Sequence, residues 1–177
     1  MNRRAFLHSA AAAALTAAVP PAFTFAARAG ESGDPILDAW EGAHGGFPPF
    51  DRIKAEAVKP ALMKGMELNR AEIAAIAGSG EAATFENTLA ALEDAGRPLD
   101  RAGNIYNIYT SVLNDKAMQA VEAEMEPVLA AFNDEIIQNA ALYARIKAVN
   151  DARAGLAGEQ LRLTEVVARN YERRGAA

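Results

Sequence analysis

The sequence predicts an all-α fold, about six antiparallel helices after an extended N-terminal arm, on three observations. Apolar residues recur at three- and four-residue steps through the segments after residue 51. No segment sustains the period-two alternation of a half-buried strand. Glycine and proline gather in residues 30–50 and at short connections, which suits helices packed against their sequence neighbours.

Three regions follow from this pattern: 1–29, 30–50 and 51–177. Residues 1–29 read as a cleavable export signal, with basic Asn2-Arg3-Arg4, an apolar run over 10–19 interrupted only by Thr16, and Ala27-Arg28-Ala29 as a small-x-small cleavage site. The run is too short for the roughly 20 residues that span hydrocarbon, and Pro20-Pro21 stop it, so no stable membrane anchor is expected. Asn2-Arg3-Arg4-Ala5-Phe6-Leu7 resembles a twin-arginine motif, which implies a periplasmic or secreted product. Residues 30–50 hold too many breakers for a regular element, while Ile36, Leu37, Trp40, Phe47 and Phe50 give this arm enough apolar surface to dock.

Within 51–177 the first helix is expected from Pro60, with Leu62, Met66, Asn69, Ile73 and Ile76 on one face and Gly78-Ser79-Gly80 ending it. Thr84 stands as N-cap of the second, which carries Phe85, Leu89 and Leu92 and closes at Gly96; Asn87 in place of Glu leaves its capping box incomplete. The third, 98–113, has the stripe Leu99, Ala102, Ile105, Tyr106, Tyr109 and Leu113. Asn114 caps a fourth with Met118, Val121, Met125, Val128 or Leu129, Phe132 and Ile136, kinked near Pro127. Asn139 caps a fifth bearing Leu142, Tyr143, Ile146 and Val149, and the turn 155–158 leads to a sixth with Leu161, Val167, Ala168 and Tyr171.

Composition narrows the chemistry. Lys plus Arg total 18 against 23 acidic residues; without the three arginines of 1–29 the balance is 15 against 23, so nucleic acid is not an expected partner. No cysteine is present, which removes disulfides, thiolate metal sites and thiol nucleophiles. His8 and His44 are the two imidazoles, and His8 falls in the signal. His44, in a breaker-rich stretch, reads as an exposed loop residue rather than a ligand. Glu122 with Glu126, and Glu93 with Asp94, could suggest acid–base work, yet no Glu-x-x-His accompanies them. Acidic positions 122, 124, 126, 134 and 135 instead read as the solvated face of the fourth helix. Ser32, Ser79 and Ser111 lack a nucleophile-elbow context, and Met63, Met66, Met118 and Met125 read as packing residues. No residue is therefore assigned as catalytic, cofactor-binding or metal-ligating.

Taken in order, several of these stretches resemble the N-terminal part of the zinc metallopeptidase family of thimet oligopeptidase, oligopeptidase A and bacterial peptidyl-dipeptidase. They are Pro35-Ile36-Leu37, Gly45-Gly46-Phe47-Pro48-Pro49-Phe50-Asp51-Arg52-Ile53, Lys59-Pro60-Ala61-Leu62, and Asn69-Arg70-Ala71-Glu72-Ile73. The most specific is Thr84-Phe85-Glu86-Asn87-Thr88-Leu89; Glu124-Met125-Glu126-Pro127, Ala144-Arg145-Ile146 and Glu159-Gln160-Leu161 continue the likeness. The resemblance implies a helical wall of a channel admitting short peptides. It places zinc on a His-Glu-x-x-His helix absent from this sequence. Glu86 and Asn87 match the family's Phe-Glu-Asn motif and read as capping and packing residues.

The resemblance thus implies the N-terminal portion of an exported peptidyl-dipeptidase-like enzyme, incomplete relative to the family and inactive alone. The alternative is a stand-alone, non-catalytic helical module that binds peptide or protein. On the first reading the arm's Trp40, Phe47 and Phe50 await a surface supplied by the remainder of such an enzyme.

Overall fold

A computed structural model describes residues 33–42 and 46–176; residues 1–29, read above as an export signal, Ser32 and His44 lie outside the described residues. Helix α1 spans Ala55–Ala77, a π-helical turn at Phe85–Ala90 runs directly into the short α2 (Ala91–Asp94), and α3 covers Arg97–Val112. Helix α4 follows at Lys116–Ile137, α5 at Ala140–Asp151, one 3-10 turn at Arg153–Gly155, and α6 at Gly158–Arg173. No strand occurs among the described residues, and none of their helices is long and apolar enough to cross a membrane.

The three long helices alternate in direction. Gly65 faces Leu99, Glu72 reaches Gly96 and Tyr109 reaches Ile53, so α1 and α3 run antiparallel. Lys59 pairs with Glu124 and Arg70 with Glu135, each 65 residues on, so α4 returns parallel to α1. Tyr106 on α3 reaches Glu126 on α4 in the antiparallel sense.

Two apolar clusters are strung along these helices. The first joins Val58, Leu62 and Met66 of α1 to Ile105 and Tyr106 of α3 and to Met118, Met125 and Phe132 of α4. The second joins Ile73 and Ile76 to Leu89, Ile137, Leu142, Ile146 and Tyr171, and Ile136 packs against both. Full burial of a Leu, Ile or Met side chain is worth about 1.5–3 kcal/mol, so this period-3.6 patterning holds the bundle.

Several boundaries differ from the sequence expectation. Helix α1 begins five residues before Pro60, which therefore sits inside it. Val58 is completely buried, and its packing holds the first turn in place although Pro60 offers no N–H to the preceding turn. The N-cap of α4 is Asp115 rather than Asn114: its Oδ1 accepts from Met118 N at 2.9 Å and places a negative charge at the helix start. Helix α4 continues unbroken through Pro127. Its face passes through Leu129, packed on the first cluster, and leaves Val128 outside.

The capping box at Thr84 is complete. Thr84 Oγ1 accepts from Asn87 N at 3.1 Å, and Asn87 Oδ1 accepts from Thr84 N at 2.8 Å. The shorter amide does the work of Glu because it opens a π-helical turn and its Nδ2 is tied back to Ala82 O at 2.9 Å. Asn139 caps α5 as expected, accepting from Leu142 N at 3.0 Å.

The arm divides. Ile36 and Leu37 are buried in the first cluster, Trp40 packs beside them with Nε1 donating to Pro35 O at 3.2 Å, and Arg101 Nε reaches back to Leu37 O at 2.9 Å. Phe47 stays 83% exposed and Phe50 45%. Leu113, expected in the third stripe, and Met63, read as a packing residue, are also outside, at 54% and 46%: Leu113 follows the end of α3 and Met63 sits beside rather than on the inward face of α1.

Candidate functional site

A groove of about 600 Å³ lies where α3 and α4 meet over α1. Helix α3 lines it with Asp100, Gly103, Asn104 and Asn107, the i, i+3, i+4, i+7 positions of one helical face. Leu62 and Leu99 form apolar floor, and Glu126 with Leu129 close the α4 side. Its volume falls in the range of about 300–1,000 Å³ typical of ligand clefts.

Tyr106 anchors the wall. Its ring is buried and its hydroxyl donates to Glu126 Oε1 at 3.2 Å. Burial, then the Glu126 carboxylate, pushes the phenol up to about 12. It is thus a fixed donor at neutral pH. Burial likewise raises Asp100, against the pull of Arg101 and Arg97.

A second polar constellation is enclosed rather than open. Arg145, only 8% exposed, donates through Nη1 to Ser79 O at 3.0 Å and Glu81 O at 2.8 Å, and through Nη2 to Asn87 Oδ1 at 2.9 Å. Asn87 Oδ1 also accepts from Thr88 Oγ1 at 2.9 Å, while Arg145 Nε has no partner. The guanidinium fork matches three acceptors at once, which binds the 79–87 connection to α5.

The residues weighed from sequence are dispersed. Asn87 is a buried cap, whereas Glu86, read with it as a capping and packing residue, is exposed and takes no part in the cap. Of the acidic set on α4, Glu124, Glu126, Asp134 and Glu135 are exposed, but each has a partner: Lys59, Tyr106, Arg174 and Arg70. Asn114 Nδ2 donates to Glu122 at 3.3 Å, Asp94 pairs with Arg97, and Ser79 Oγ accepts from Glu81 N at 3.3 Å. Sequence reasoning did not single out Arg145 or the groove. Arg145 sat inside an apolar stripe at the i+3 position from Leu142, the one signal that could have marked it as inward-facing.

Among the described residues, no three His, Cys, Asp or Glu side chains converge as a metal ion requires. They do not fit the zinc that the resemblance implies.

No family model matches the chain. It is 37% identical to a dipeptidyl carboxypeptidase of Salmonella typhimurium and 35% identical to that of Escherichia coli, each over 131 residues, or 73% of this chain and 19% of the relative. It is 27% identical over 122 residues, 69% of this chain and 17% of the relative, to oligopeptidase A of Escherichia coli. The chain, whose regular elements among the described residues are all helices, belongs to the peptidyl-dipeptidase/oligopeptidase family. It spans about a fifth of the length of the curated relatives it matches.

Proposed function

We propose that this chain serves as the N-terminal helical portion of an exported peptidyl-dipeptidase-like peptidase, contributing a wall that meets short peptides and leaving hydrolysis to other parts of such an enzyme. The observation that carries this reading is the 37% identity to a dipeptidyl carboxypeptidase along 73% of the chain. One feature of the structure supports it: the groove offers amide, carboxylate and apolar surface suited to peptide. Zinc in this reading is held by residues beyond those of this chain. Arg3, Arg4 and Ala27-Arg28-Ala29 support delivery to the periplasm or medium.

The test is turnover of short blocked peptides by the purified chain with added zinc. The expected result is none. Chelator-sensitive hydrolysis that follows the pure protein through successive columns would overturn the division of labour proposed here.

A further inference from the structure

We propose that the groove between α3 and α4 selects peptides carrying a basic side chain. This deepens the peptide-wall reading above and rests on it. The charged residues lining the groove, Asp100 and Glu126, are both carboxylates, and they stand over leucine surface. A lysine or arginine residue has the complementary form, an aliphatic stem ending in a cation.

The two carboxylates are prepared differently. Glu126 is oriented by the Tyr106 hydroxyl on Oε1, which leaves Oε2 for a ligand. Asp100 is exposed one turn before Asn104 on the groove-lining face of α3, so its carboxylate is open to an incoming cation. Asn104 on the same face of α3 offers an amide donor and acceptor to a peptide backbone.

Access depends on Gly103. A Cβ built there meets nothing within 4 Å, so the helix presents open space at the middle of the groove. The stem of the ligand would lie over this gap, between Leu99 and Leu129.

The experiment is fluorescence anisotropy of the purified chain with labelled tetrapeptides, acetylated and amidated at their ends, that differ only in one central lysine, norleucine or glutamate. The lysine peptide is expected to bind about tenfold or more tightly than the glutamate peptide, with affinity falling as salt is added. Asp100→Asn and Glu126→Gln should each weaken the lysine peptide several-fold, about 3- to 10-fold, and leave the norleucine peptide unchanged. Gly103→Leu should remove binding of both while the helical circular dichroism is retained, since leucine is the better helix former. Equal affinity for the three peptides, or full lysine-peptide binding by Gly103→Leu, overturns the proposal. So does a failure of all three peptides to bind. None of these outcomes bears on the turnover test, which decides the enzyme-portion reading separately.

Discussion

Arg145 on α5 holds Asn87 of the π-helical turn through an Nη2 to Oδ1 hydrogen bond of 2.9 Å, across 58 residues of sequence. The amide oxygen it reaches is the same one that completes the cap of Thr84. Replacing Arg145 by methionine keeps most of the stem and takes the guanidinium donor from Ser79 O and Glu81 O, while Asn87 Oδ1 keeps its bonds from Thr84 N and Thr88 Oγ1. Hydrogen bonds from a charged group are worth about 1.5–3 kcal/mol each and are not additive, so the expected loss is about 2–5 kcal/mol in a denaturant melt. Arg145→Lys should recover only part of it, because an ammonium cannot present the fork. A melt unchanged by either substitution would remove the clasp from the energetics of the fold.

Two glycines should respond in opposite directions. Gly96 has φ +85°, a Cβ there would lie 2.8 Å from Asn69 Nδ2, and its N–H donates to Glu72 Oε2 at 2.7 Å. Gly96→Ala should therefore destabilise by at least about 1–2 kcal/mol. Gly103→Ala, inside α3 with open space around it, should stabilise by about 0.5–1 kcal/mol. Differential scanning calorimetry of the pair reads both signs.

The pH dependence above neutrality should involve Tyr106 and Tyr171. Burial raises both phenols to about 12 from an ordinary value of 10. Because the folded state holds these protons more tightly, their contribution to stability is complete below pH 10 and is lost as pH rises toward 12. Ultraviolet titration near the phenolate band should show components in that window that disappear separately in Tyr106→Phe and Tyr171→Phe. Ionisation of both at the ordinary value would contradict the burial argument.

Export is expected to remove residues 1–29. Mature protein recovered from the periplasm should begin at Gly30, and changing Arg3 and Arg4 together to lysine should hold the precursor inside the cell. Undiminished export of that double variant would point to a route that does not read the arginine pair.

The stripes of α1 and α4 were legible because each follows one helical period and buries one face, as Leu62, Met66, Asn69 and Ile73 do. Boundaries were less so. Pro60 and Asn114 carry strong local preferences, and in each case a neighbour prevailed: the buried Val58 extends α1 backward, and the Asp115 carboxylate displaces Asn114 as cap. The complete capping box escaped notice because Asn87 gains its geometry from Ala82 and Arg145, partners that no local pattern announces. The groove was illegible for the same reason. Asp100 and Glu126 lie on different helices, and their common exposure to one cleft depends on how α3 and α4 cross α1.

Lys59–Glu124 and Arg70–Glu135 repeat after 11 residues on both α1 and α4, about three helical turns, so the two pairs sit on one edge like marks on matched rulers. Exposed pairs of this kind add only about 0–1 kcal/mol each. Their larger effect is on alternatives. A slip of α4 along α1 by one turn would leave both cations facing the wrong residues together, so the apolar seam, which leucines and methionines alone would let slide, has one alignment in which both marks agree.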